Sequence, residues 1–238
     1  MMAPEPGPHA TPTQAEERGA ALALLPVAAT IDFYALPASL QEQTLVQFAP
    51  QIIAYLAFGL WATHNQAIVA RMGLQPCGFW TGLRWGVLTG LLLGGFNTLI
   101  MLRVVPHLGY DITFLKATPH AQLPVFVMIP WFICSIALFV EVNFRGFILE
   151  RLLVWGRQLL GSKLSPLVGT TAVGISAITF AFDPFMVNTF QHLHWIAVWD
   201  GLIWGIIWLK TKNLYATIVA HAVEVMVMYC ALRATLMP

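Results

Sequence analysis

The stretch Leu138-Phe139-Val140-Glu141-Val142-Asn143-Phe144-Arg145-Gly146-Phe147-Ile148 sets a carboxylate and a guanidinium inside a largely apolar run. Glu141 and Arg145 are four apart, so on a helix they lie one above the other on the same face. A charge at bilayer depth costs several kcal/mol unless it is paired or faces a polar cavity. Two readings follow. The pair is a structural lock between helices, or it is the acid/base or metal-binding wall of an intramembrane site.

The rest of the chain makes a membrane the right frame. Of 238 residues, 58% are hydrophobic and only 10% are charged, against about 25% charged in a soluble domain. Mean hydropathy is +0.72. The expected architecture is all-α, a polytopic bundle of about seven transmembrane spans, with the lipid bilayer as its first partner. A net charge of +1 gives no case for nucleic acid. Cys77, Cys134 and Cys230 are scattered without CxxC spacing and read as small apolar fillers. Residues 1–18 are rich in Pro, Ala and Glu and read as a disordered tail ahead of a helical domain over 19–238.

The seven segments fall near 19–37, 46–61, 83–102, 123–155, 166–185, 195–209 and 214–236. Gly86, Gly90, Gly94 and Gly95 in the third suit close helix packing in lipid. With seven spans, Arg18, Arg71, Arg84, Arg151, Arg157, Lys163, Lys210 and Lys212 collect on one side. Only Arg103, Lys116 and Arg233 fall on the other. That bias predicts a cytoplasmic N-terminus in a plasma membrane, with a bacterial inner membrane as the expected location.

Several further polar residues fall at or near membrane depth. Phe180 to Asp183 should lie level with Val140 and Glu141 across the hairpin, at ~1.5 Å per residue. Asp183-Pro184 breaks the helix, as chain lining a cavity can; a helix-end carboxylate at the interface is the plainer reading of Asp183. His192 and His194 precede the sixth span, where snorkelling interfacial residues are common. Asp200 follows inside that span, with Gly201 and Gly205 marking a close neighbour. His221 and Glu224 share one face of the last helix, a pairing that either packs or activates water.

These motifs resemble the CPBP family, also called ABI. It comprises CAAX proteases of Ras-converting type and bacteriocin-processing or self-immunity proteins. The resemblance covers roughly residues 71–229. It rests on Met72-Gly73-Leu74, Phe144-Arg145-Gly146-Phe147, Pro166, Asp200-Gly201-Leu202-Ile203-Trp204-Gly205-Ile206, and Leu214-Tyr215-Ala216-Thr217-Ile218-Val219-Ala220-His221-Ala222. It implies a helical membrane fold and intramembrane endopeptidase chemistry. Glu141, Arg145 and His221 carry over as site residues, Glu141 and His221 as the catalytic candidates. Glu224, Asp183, His192 and His194 remain as supporting candidates.

The chain departs from the family at three positions. The family's water-activating Glu falls on Val140, the His of its second motif on Pro184, and the Asn of its third on Val225. Valine and proline side chains neither activate water nor stabilise an oxyanion. The expectation is therefore a pseudoprotease or membrane scaffold that binds a hydrophobic peptide, a prenylated chain or a partner helix. An endopeptidase with a shifted site on Glu141 and His221, and an accessory subunit of a larger membrane complex, are the alternatives. A divalent metal at His221 is implied only for the active enzyme.

Overall fold

The fold is built on one helix whose central turns are covered all round. In this computed structural model, which describes residues 17–161 and 164–237, helix α4 runs from Val125 to Leu160. Its winding widens to π-type turns over Val142–Leu149. Such widened turns recur at functional sites. Here Asn143 through Leu149 are all buried, so neighbours close on every side.

Those neighbours come in chain order as helices. Ahead of α4 lie α1 (Ala20–Ala35), α2 (Ala49–Thr63) and α3 (Phe79–Leu99, continued through a widened turn to His107). After it come α5 (Ser165–Ala181), α6 (Pro184–Leu193), α7 (Ile196–Thr211) and α8 (Leu214–Leu236). Among the described residues there is no strand. The molecule is a helical membrane bundle.

The number of full spans is lower than the seven apolar segments predict. Three helices are long and apolar enough to cross a bilayer: Ile68–His107, α4 and α8. A fourth forms if the bent pair α5–α6, broken by 52° at Asp183-Pro184, counts as one. The first, second and sixth segments do fold as helices, but α1 and α2 are apolar helices of 10–17 residues and α7 has 16. That is short of the ~20 residues a span needs. Hydropathy marks apolar segments; it does not see where Pro37 or the turn at Lys212 ends the helix.

The expected tail needs correcting at its end. Residues 1–16 lie outside the described residues. Glu17, however, is buried, with its carboxylate held by Arg151, by Arg71 at 3.1 Å and by Trp61 Nε1 at 3.0 Å. Beside it Glu150 accepts from Trp208 Nε1 at 3.0 Å and pairs with Lys212. Five chain segments meet there, at the basic end of the bundle.

The pairing of α3 with α8 is the most extensive in the molecule. Added Cβ atoms at Gly82, Gly86, Gly90 and Gly94 would fall within 2.6–2.8 Å of the Cβ atoms of Tyr215, Val219, Val223 and Val227 or of α8 carbonyls. The four glycines let the two backbones touch, as their spacing predicts. Gly201 and Gly205 likewise bring α7 against Ala177 and Val173 of α5.

Candidate functional site

Glu141 and Arg145 stack one turn apart on α4, and Arg145 Nη1 donates to Glu141 Oε1 at 3.2 Å. Both are 0% exposed. The same carboxylate oxygen meets His221 Nδ1 of α8 at 3.1 Å. The Arg145 guanidinium lies 4.9 Å from the centre of the Phe180 ring and 5.0 Å from that of Trp204. Trp204 in turn stacks on His221, ring centres 4.5 Å apart. Glu141 is thus enclosed by a guanidinium and an imidazole, and the rings behind them exclude water. Leaving either charge of such a pair alone costs about 3–5 kcal/mol.

A second polar cluster sits beside the first. Asn97 of α3 donates through Nδ2 to both oxygens of Asp200 on α7, at 3.0 and 3.1 Å, and to Glu224 Oε1 on α8 at 2.7 Å. Its carbonyl accepts from Trp199 Nε1 at 2.9 Å. The shared amide donor brings the carboxylates of Asp200 and Glu224 together. Three helices therefore converge on one amide.

A cavity of about 450 Å³ opens against both clusters. Val140, Phe144, Phe180, Trp204 and Val225 form apolar wall, and His221, Asp200 and Glu224 form its polar patch. Glu141 and Arg145 are not among the lining residues. His221 is the link, with Nδ1 on Glu141 and its ring at the cavity. His120 lines the cavity from the connection between α3 and α4, where burial holds its imidazole below the ordinary histidine range.

The remaining sequence candidates divide. Asp183 lines the cavity, but its Oδ1 is committed to capping α6, accepting from Phe185 N at 3.1 Å and Met186 N at 3.4 Å. It also accepts from Gln51 Nε2 at 2.9 Å. This is the helix-end role. His194 lines the cavity and packs edge-on against Phe182. His192 lies away from it, with its ring against Tyr110 and Phe114. Asn97 escaped the sequence reading altogether, although a lone amide in a glycine-rich span was a usable signal.

The donor set does not suit a metal. Among the described residues no three His, Cys, Asp or Glu side chains gather around one point. The Nδ1 of His221 and the carboxylate beside it are already engaged with each other and with Arg145. No step is therefore routed through a metal.

With that geometry in place, residues 122–227 match the family described as type II CAAX prenyl endopeptidase Rce1-like. The matched stretch is an Rce1-like domain of the CPBP family. Comparison with curated proteins and with solved structures gave no match. The Rce1-like domain holds α4 to α8 up to Val227, and so Glu141, Arg145, Asp200, His221 and Glu224. It leaves out α3 and with it Asn97. The three departures in the motifs have definite places. Val140 and Val225 line the cavity, and Pro184 is buried at the first turn of α6.

Proposed function

We propose that this protein is a non-proteolytic member of its family, a membrane-embedded binding protein whose cavity receives an apolar chain. The occupant would come from a hydrophobic peptide, a prenylated segment or a lipid. One observation carries this reading. The side chains at the two cavity positions where the family motif calls for Glu and Asn are Val140 and Val225. The carboxylate that remains, Glu141, lies off the cavity lining with its Oε1 engaged by both Arg145 and His221. Hydrolysis needs a base within reach of a water and donors for the oxyanion. An apolar wall supplies neither and favours the burial of hydrocarbon, at roughly 25 cal/mol per Å².

The competing reading is an endopeptidase with a shifted site. The contact of His221 with Glu141 favours it, since an imidazole oriented by a buried carboxylate is the base-and-orienter arrangement of many hydrolases. Purified protein incubated with a farnesylated CAAX peptide and with an unprenylated hydrophobic peptide separates the two. The binding reading expects both peptides intact and the protein's thermal midpoint raised by the prenylated one. Cleavage abolished by both Glu141→Ala and His221→Ala would refute it.

The sidedness of the bundle supports a cytoplasmic N-terminus in a plasma membrane, bacterial by expectation. Arg71, Arg151 and Lys212 meet at one end with Glu17 and Glu150, while Arg233 sits at the far end of α8. Cytoplasmic ends carry the excess of Lys and Arg. A tag at the N-terminus should resist protease in intact spheroplasts and be lost on lysis; removal from intact spheroplasts would reverse the assignment.

A further inference from the structure

The polar patch of the cavity holds two carboxylates that receive few hydrogen bonds. Four carboxylate oxygens of Asp200 and Glu224 face each other. Among the described residues the side-chain amide of Asn97 is the hydrogen-bond donor that meets them. Apart from the neighbouring Asp200, Glu224 Oε2 has no partner, although Glu224 is only 1% exposed. The Asn97 carbonyl is already taken by Trp199. Among the described residues no Lys or Arg lies in ion-pair contact with either carboxylate. Around His221 three carboxylates, Glu141, Asp200 and Glu224, answer one guanidinium, Arg145, whose ion pair is with Glu141.

The shape of the cavity adds a second constraint. Its lining runs along α8 from His221 and Glu224 to Arg233 and Leu236. From Glu224 to Leu236 is about 18 Å of helix at ~1.5 Å per residue. The wall between is apolar, with Val225, Met228 and Leu232 on α8 and Met128 and Ile133 on α4. The site is a largely apolar cavity with an acidic patch toward one end of its α8 wall and the cationic Arg233 toward the other.

From this arrangement we infer that the cavity binds an apolar chain headed by a protonated amine, with the ammonium seated between Asp200 and Glu224. An ammonium carries three donors and no acceptor, so it matches a wall of carboxylate oxygens. It would set a charge of opposite sign between the two carboxylates and form charge-assisted hydrogen bonds with them. A fatty carboxylate would meet like charge there, and an alcohol would bring one donor without the charge. Asp200, Glu224 and Asn97 thus set head-group specificity, while the apolar wall accepts the chain. This inference rests on the proposed role of the cavity as a binding site.

The test compares dodecylamine, dodecanol and dodecanoate at neutral pH on the full-length protein in a nonionic detergent. Thermal-unfolding titrations yield apparent Kd values. Dodecylamine is expected to bind about tenfold more tightly than dodecanol, the order of one charge-assisted hydrogen bond. Asp200→Asn and Glu224→Gln, which keep shape and remove charge, should each bring the preference to within about twofold. Asp32→Asn, an exposed carboxylate outside the cavity, should leave it unchanged. If no probe binds, the binding role of the cavity fails and the inference with it. If all three bind alike, the cavity role stands and the amine inference falls. Preference for dodecanoate, or an amine preference that survives both substitutions, also overturns it.

Discussion

Two buried charged regions lie in this bundle, and they are built to different rules. At the basic end, Glu17 meets Arg71 and Arg151, Glu150 meets Lys212, and indoles of Trp61 and Trp208 donate to both carboxylates. Each acid has a cation, and the region knits segments far apart in the chain. Around the cavity, Glu141 has Arg145 and His221, but Asp200 and Glu224 are held by the Asn97 amide and, among the described residues, have no ion-pair partner. The first region is balanced and touches no large cavity; the second is unbalanced and forms part of a cavity wall. Buried charge left uncompensated by the fold is a reservoir for ligand recognition, since natural interiors otherwise pair their charges.

The comparison can be broken by mutation. Arg151→Ala should be the most damaging change, costing about 3–5 kcal/mol because it breaks a fully buried ion pair and leaves Glu17 with the more exposed Arg71 alone. Thermal unfolding in detergent measures it, and a loss below about 1 kcal/mol would mean that the basic end is not a structural lock. Gly90→Leu should come next, at about 1–3 kcal/mol or more, because a side chain there meets Ala220 O and Val223. Both proteins should keep whatever preference among ligands the folded fraction shows.

The cavity region should behave in the opposite sense. Asp200→Asn and Glu224→Gln are each expected within about 1 kcal/mol of the parent, or above it, because each relieves a carboxylate pair that lacks a cation. Were either as harmful as Arg151→Ala, the contrast between the regions would be gone. The smallest expected effect lies outside the membrane. The Asp111 carboxyl is held below the usual carboxylate range by the Thr113 hydroxyl and then by the Thr113 amide. Its folded value lies below its unfolded one, so its contribution is present above the ordinary value of 3.8 and is lost as pH falls through the lower folded value. Amide exchange at Thr113 should quicken there in the parent and show no such step in Asp111→Asn.

Helical spacing made part of this site legible in the sequence. Glu141 with Arg145 and the glycines of α3 and α7 are relations within one helix, and a period of 3.6 residues reports them directly. The contacts that decide the cavity are not of that kind. Asn97 meets Asp200 and Glu224, 103 and 127 positions away. A single amide in an apolar span gives no hint of its partners. Glu17 was hidden in another way: composition averaged it into a polar tail, although one carboxylate among basic helix ends is enough to anchor a chain. The number of spans was overread because apolar content was equated with length. The short helices α1, α2 and α7 bury against longer ones without the reach to cross alone.

The glycine contacts between α3 and α8 also act as a ruler. Gly82, Gly86, Gly90 and Gly94 engage α8 at steps of four residues, so the two helices can shift along each other only by whole turns, about 5.4 Å at a time. Such a step would part Asn97 from Glu224. In a thicker or thinner bilayer, adjustment therefore has to fall on helices outside the α3–α8 and α5–α7 pairs, while those pairs keep the polar patch in register.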